Sequence, residues 1–160
     1  MVRVLSWTVA VDLEPTRSIY AASRPDADVG GCGSCRSYAS VRHAAIPPEA
    51  RTLLESLGID PTKENEVVGG WRLEPGLRYF GGWFHFAGRV LEGEVIPADA
   101  QGAPISLGHQ PVTPHFTILV TGHRSLPCFE GFRGAPRVAV EFEARVPEDT
   151  PGFFLLDPEA

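Results

Sequence analysis

Apolar and polar residues alternate with a period of two along much of the chain, which is the pattern of half-buried β-strands. The clearest case is residues 137–146, where Val138, Val140 and Phe142 alternate with Arg137, Glu141 and other charged positions. The same pattern predicts further strands over residues 5–13, 66–74, 77–88, 90–96 and 115–121. Because these segments follow one another with short turns, antiparallel pairing is favoured.

Helical periodicity is confined to the N-terminal third of the chain. From Pro48 onward the apolar residues fall on one helical face, namely Ala50, Leu53, Leu54 and Leu57. Gly58 is placed to adopt the left-handed conformation that ends many helices, with Ile59 folding back onto the helix. Residues 35–45 are predicted to form a shorter helix. Residues 14–31 are rich in Pro, Asp and Gly and are predicted to be a loop leading to a pair of cysteines.

The predicted fold class is therefore α+β, with a mainly antiparallel sheet of about six strands and one or two helices in the N-terminal third. The strands are expected to form a rolled sheet or a partial barrel. A chain of 160 residues has the usual size of one domain, so residues 1–160 are predicted to form a single domain. Residues 147–160 form a C-terminal tail, which we expect to dock on the body through its apolar run.

The charge distribution limits the partners. The net charge is −6 and the arginines are spread thinly, which argues against nucleic acid as a partner. No segment approaches the ~20 apolar residues that a membrane helix needs, so no membrane partner is expected. Lys63 is the only lysine beside many arginines, which points to a GC-rich, bacterial source. A cytoplasmic protein with reduced thiols is expected, and a small-molecule ligand and a homo-oligomer are left open.

The most distinctive chemistry lies in Cys32-Gly33-Ser34-Cys35. Two thiols at this spacing can share one tetrahedral metal ion, and zinc is the metal that such pairs usually hold. The leading hypothesis is a small bacterial metal-binding domain, with zinc held by Cys32 and Cys35 and tying the N-terminal loop to the sheet. The remaining ligands would come from elsewhere in the chain, the candidates being His43, His109, His115, His123 and Cys128.

A redox role is an alternative for the same dithiol. The segment Cys32–Arg36 resembles the active-site segment of thioredoxin-type oxidoreductases, in which the first thiol begins a helix. The resemblance implies that Cys32 is the attacking thiolate and Cys35 the resolving thiol. The segment departs from that family at Ser34, where the family has Pro, and at Gly31, where it has Trp. A third interpretation is that the two cysteines are simply small side chains buried at a tight loop.

An aromatic segment offers a second kind of site. Trp71, Tyr79 and Trp83 could line a small-molecule pocket, roofed by the Gly- and Pro-rich residues 97–113. His85, among these aromatics, is a candidate ligand or general base of a small-molecule enzyme or binding protein. The alternative is that the aromatic stripe and His85 belong to the core.

Three short motifs together resemble a family of uncharacterised bacterial proteins of similar length. The motifs are Cys-x-x-Cys-x-x-Tyr over residues 32–38, Leu-Gly-Ile-Asp-Pro over residues 57–61, and Tyr-x-Gly-Gly-Trp-x-His-x-x-Gly over residues 79–88. The final alternating strand over residues 138–146 fits the same pattern. The resemblance implies a shared fold and carries no implication about chemistry.

Overall fold

In the part of the chain that the structure describes, seven antiparallel strands form one open sheet, and four α-helices are inserted between the second and third strands of the chain. The computed structural model describes residues 1–95, 108–122 and 126–156. The strands are β1 Val2–Val4, β2 Trp7–Val11, β3 Glu66–Glu74, β4 Leu77–Glu92, β5 Gln110–Thr113, β6 Phe116–Thr121 and β7 Arg137–Pro147. The helices are α1 Leu13–Ala22, α2 Asp26–Gly30, α3 Gly33–Ala45 and α4 Pro48–Ser56, with a 3₁₀ turn at Glu130–Phe132. The predicted α+β class and the antiparallel sheet are confirmed.

The sheet is organised around the long central strand β4. The strand order is β1-β2-β4-β7-β6-β5, and β3 pairs with β4 beside this path. One edge of β4 pairs with β7 over residues 77–87. The opposite edge of β4 pairs with β3 over residues 77–83 and with β2 over residues 88–92. None of the described strands pairs with residues 84–87 on that edge, and α1 lies against them.

The helical insertion is larger than the sequence indicates. Residues 14–31 are not a loop, because α1 and α2 occupy most of them. Pro15 lies in the first turn of α1, where a missing backbone N–H interrupts no intrahelical hydrogen bond. Pro25 is the N-cap of α2, and Gly31 ends it in the left-handed conformation, with φ 63°. The residues that suggest a loop therefore mark helix ends.

The two predicted helices are confirmed. Helix α3 covers residues 35–45 and begins two residues earlier, at Gly33. Helix α4 ends as predicted, since Gly58 has φ 75° and the Ile59 N–H donates to the Leu54 carbonyl at 3.1 Å. Together with the bond from the Gly58 N–H to the Glu55 carbonyl, this is a Schellman ending.

Two strand predictions need correction. The strand predicted over residues 5–13 is shorter, since β2 covers Trp7–Val11 and α1 begins at Leu13. A further strand, β1, precedes it and pairs with β2 across a turn at Leu5, which has φ 53°. Strand β4 merges two predicted strands. Glycines inside a strand often mark a bulge, but the pairing of β4 with β7 is regular at Gly81 and Gly82. These glycines serve close packing instead, since a Cβ on Gly82 would lie 2.9 Å from the ring of Phe142.

The core lies on the sheet face that packs against α3. Strand β7 turns its apolar residues inward as predicted, and they meet the inward aromatics of β4 and β6. The ring of Tyr38, on α3, lies 5.4 Å from that of Phe80 on β4. The helix that begins at the dithiol is thus fixed on the sheet by its buried face. None of the helices in the described residues is long and apolar enough to cross a membrane.

Candidate functional site

The two cysteines of the dithiol are bonded to each other. Cys32 and Cys35 form a disulfide, so neither sulfur is a thiolate available to zinc. Within residues 1–95, 108–122 and 126–156, no three His, Cys, Asp or Glu side chains are grouped to hold a metal ion. The prediction of a zinc site at Cys32 and Cys35 is therefore wrong. The spacing that lets two thiols share a metal also lets them bond to each other, so spacing alone could not decide.

The other predicted metal ligands lie at separate places. His43 is exposed on α3 and lines a cavity of about 480 Å³ with Arg51 and Asp60. His115 is exposed at the turn between β5 and β6, and His109 is partly buried before β5. Cys128 is a free thiol packed against the core. His123 lies outside the described residues.

The disulfide is located at the start of α3, and its two sulfur-bearing residues differ in exposure. Cys32 is the N-cap of the helix, and the Cys35 N–H donates to the Cys32 Sγ at 3.2 Å. Cys32 is exposed, whereas Cys35 is buried, with 5% of its surface accessible. An external thiol can therefore approach Cys32 but not Cys35. The positive end of a 13-residue helix also favours a negative charge on the first sulfur.

Helix α2 reaches the buried sulfur from the other side. Its last residue, Gly30, lies so close that an added Cβ would be 2.7 Å from the Cys35 Sγ. Only Gly31 and Cys32 separate α2 from α3. The position of α2 therefore bears directly on the position of Cys32.

An ion cluster of Arg42, Glu64 and Asp28 joins α2 to α3, with Glu64 buried and Asp28 half-exposed. The Glu64 carboxylate is fully buried and accepts two hydrogen bonds from the Arg42 guanidinium, at 3.0 and 2.9 Å. It accepts a third from the backbone N–H of Ala27 in α2, at 2.9 Å. Arg42 also donates to Asp28 at 3.0 Å. Burial raises the pKa of Glu64, and the hydrogen bonds from Arg42 and Ala27 oppose that rise.

The C-terminal segment lies along α3 beside the disulfide. The Phe154 N–H donates to the Ser40 Oγ at 2.9 Å, and the Arg36 guanidinium lies 5.2 Å from the Phe154 ring centroid. Leu156 then packs on Gly33, the residue after Cys32, so closely that a Cβ there would be 2.7 Å from its Cδ2. This segment forms an apolar flank next to the exposed sulfur.

The predicted aromatic pocket divides into two environments. Trp71 stacks on Tyr79 with ring centroids 5.3 Å apart, and Trp71 is 47% exposed. Trp83 donates through Nε1 to the Pro127 carbonyl at 2.8 Å. His85 instead lies in the core, where burial lowers its pKa to about 3 and its Nδ1 is 3.2 Å from the Asn65 Oδ1. Residues 97–107, which are most of the segment predicted to cover this pocket, lie outside the described residues.

The residues of the ion cluster beside the disulfide could not be identified from the sequence. Glu64 lies in the polar run Lys63-Glu64-Asn65, between a turn and a strand, so no pattern indicates that it is buried. Arg42 lies in a helix with no matching acid at helical spacing, because its partners are on other elements. The one sequence signal of close packing at the dithiol is the pair of glycines directly before Cys32.

Comparison with protein families, with curated proteins and with solved structures found no match. The resemblance to the uncharacterised bacterial family therefore stays a prediction. What the chain does has to be argued from the site itself.

Proposed function

We propose that this chain is a thiol–disulfide redox domain in which Cys32 is the exchanging sulfur and Cys35 the resolving one. The observation that carries the proposal is the Cys32–Cys35 disulfide at a helix N-terminus, with one cysteine exposed and the other buried. In the cytoplasm, the expected location, disulfides are usually transient and serve catalysis or redox sensing.

The exchange with a partner dithiol proceeds in two displacement steps. A partner thiolate attacks the exposed Cys32 Sγ, the Cys32–Cys35 bond breaks, and Cys35 leaves as a thiolate that takes up a proton. The second partner thiol loses its proton and attacks the partner sulfur of the mixed disulfide, which releases Cys32. In sum, two electrons and two protons pass to the domain, and the partner becomes a disulfide. In the reverse sequence the Cys32 thiolate attacks a partner disulfide and Cys35 then attacks the Cys32 sulfur of the mixed disulfide. The Cys32–Cys35 bond is regenerated, and the partner disulfide gains two electrons and two protons and leaves as a dithiol.

The helix N-terminus assists both directions of this exchange. When Cys32 is the leaving group, the unpaired N–H groups of the first turn of α3 stabilise its thiolate. When the reduced domain attacks a disulfide, the same groups keep part of Cys32 in the nucleophilic form. Cys35, beneath α2, then lies within reach of the mixed disulfide at Cys32 and resolves it.

The proposal is tested with reduced protein carrying Cys128→Ser, so that only the dithiol reacts. With oxidised glutathione at neutral pH, the further variant Cys35→Ser is expected to gain one glutathione on Cys32, detected by intact mass. The protein that retains both cysteines is expected to form the mixed disulfide only briefly and to end as the intramolecular disulfide. The matched variant Cys32→Ser, which retains buried Cys35, is expected to react at least tenfold more slowly.

Two results would contradict the redox role. One is equal, slow glutathionylation of Cys32 and Cys35, which would mean that exposure and helix position confer no reactivity. The other is failure of the reduced protein to reform its disulfide with oxidised glutathione. Either would leave the disulfide as a purely structural link.

A further inference from the structure

We infer that the ion cluster of Arg42, Glu64 and Asp28 sets the reduction potential of the dithiol by holding α2 against α3. The inference rests on the proposed function, because it assigns these three residues the role of positioning residues for the exchanging disulfide. They contact neither sulfur and act through the position of the chain that precedes Cys32.

Helix α2 is too short to be stable without contacts to the rest of the protein. It has five residues, and isolated helices far longer than this are marginal in water. Its stability must come from its contacts. Its hydrogen bonds to other elements include those from the Ala27 N–H to the Glu64 carboxylate and from Arg42 to Asp28. The Asp26 N–H also donates to the Glu64 carbonyl at 3.1 Å, and the Asp26 carboxylate accepts from the Val67 N–H at 3.3 Å.

Two of these bonds, at Ala27 and Asp28, depend on the side chains of Glu64 and Arg42. Glu64 precedes β3, and Arg42 lies on α3, seven residues after Cys35. The cluster thus fastens α2 both to the sheet and to the helix that carries the disulfide. Removing one member of a buried ion pair leaves an uncompensated charge, so the cluster is sensitive to single substitutions.

Helix α2 also contacts the disulfide itself. Gly30 packs on the Cys35 Sγ, and two residues later the chain places Cys32 at the N-cap of α3. A disulfide is favoured over its dithiol when the two sulfurs are held in bonding position, since preorganisation raises their effective concentration. The cluster provides that preorganisation, so a weakened cluster shifts the equilibrium toward the dithiol.

The experiment measures the disulfide–dithiol equilibrium of the full chain, with Cys128→Ser, across ratios of reduced to oxidised dithiothreitol. Glu64→Gln keeps the shape of the side chain and removes its charge, and Asp28→Asn weakens one arm of the cluster at a half-exposed position. The control is Glu14→Gln, which breaks an exposed ion pair with Arg17 in α1. Circular dichroism verifies that each variant is folded.

We expect Glu64→Gln to shift the equilibrium constant toward the dithiol by about tenfold, which is about 30 mV. Asp28→Asn should shift it by about threefold in the same direction, and Glu14→Gln should leave it unchanged. If Glu64→Gln does not fold, the equilibrium constant of Asp28→Asn tests the inference by itself. Values within 1.5-fold of the parent for every folded cluster variant would overturn the inference.

The rate of exchange separates this inference from the proposed function. The dithiothreitol equilibrium can be measured even for a slow structural disulfide. Slow reaction with oxidised glutathione together with a shifted equilibrium would overturn the redox role and support the cluster's control of the disulfide. Fast reaction with an unshifted equilibrium would support the redox role and overturn the control by the cluster.

Discussion

At the scale of single residues, the site depends on the difference in solvent exposure between its two cysteines. Cys32 is exposed at the N-cap of α3, and Cys35 is covered by the chain that leads into it. That cover is possible only because Gly30 has no side chain. Gly30 is therefore part of the site and not merely a flexible connection.

Gly30→Ala is expected to destabilise the disulfide relative to the dithiol. The new Cβ would lie 2.7 Å from the Cys35 Sγ, so either the sulfur or the end of α2 must move. In the reduced protein Cys35 can rotate away, and the penalty falls mainly on the disulfide. We expect the equilibrium with dithiothreitol to move several-fold toward the dithiol.

Gly122→Ala is the matched control for this substitution. A Cβ there would lie 3.5 Å from the nearest heavy atom, Val95 Cγ1, which is an ordinary contact. It should leave the dithiol equilibrium unchanged. If Gly30→Ala behaves in the same way, α2 does not restrain Cys35.

At the scale of the elements, the helical insertion completes the central strand. Between the segments of β4 that pair with β3 and β2, side chains of α1 take over the backbone bonds. The Tyr20 hydroxyl donates to the His85 carbonyl at 2.8 Å and accepts from the His85 N–H at 3.1 Å. The Thr16 hydroxyl accepts from the Ala87 N–H at 3.0 Å. Helix α1 therefore acts in place of a strand at this edge.

Tyr20→Phe is expected to lower the free energy of unfolding by about 1–3 kcal/mol, because it leaves two buried backbone groups of β4 unsatisfied. Tyr38→Phe is the matched control, since the buried Tyr38 hydroxyl has no hydrogen-bond partner among the described residues. That variant should be neutral or slightly stabilised. Urea unfolding of both variants measures the difference. Equal effects would mean that the Tyr20 hydroxyl does not substitute for strand pairing.

The elements that could be predicted from the sequence are those determined by local periodicity. Strand β7 alternates without interruption, and α4 has one apolar face and a glycine ending, so both are confirmed. Helices α1 and α2 were missed because their prolines and glycines are typical of loops. These helices form through contacts with β4 and Glu64, which are distant in sequence.

The candidate site could be located from the sequence, but its chemistry could not. The spacing of Cys32 and Cys35 identified the pair, yet it fits a metal and a disulfide equally well. The choice depends on whether further ligands converge, and convergence is a property of the folded chain. The burial of Glu64 is likewise decided by α2 and α3 closing around it.

At the scale of the whole molecule, the disulfide and the aromatic side chains of the sheet lie on different elements. The disulfide is at the start of α3, whereas the sheet aromatics come from β4, β6 and β7 and pack against Tyr38 of the same helix. A disulfide that closes so short a loop constrains the unfolded chain by only about 2 kcal/mol. We therefore expect reduction to leave the sheet intact, as the proposed redox role requires.

His85 links the pH to the stability of this core. Its pKa falls from 6.5 to about 3 because burial penalises the charged form. Between these values the unfolded chain binds more protons than the folded one, so the free energy of unfolding falls as the pH falls below 6.5. Over pH 7 to 5 we expect a loss of about 2 kcal/mol, since each unit of pKa shift is worth about 1.4 kcal/mol.

Urea unfolding at several pH values between 7 and 5 tests this dependence, in a range where most carboxylates stay ionised. His85→Gln removes the titrating ring and should flatten the curve, whereas His43→Gln, at an exposed position of α3, should retain the slope of the parent protein. If His85→Gln folds and its curve runs parallel to the parent's, the acid sensitivity arises elsewhere. A flattened curve would show that the acid sensitivity of the core between pH 7 and 5 arises mainly from one histidine that burial keeps neutral.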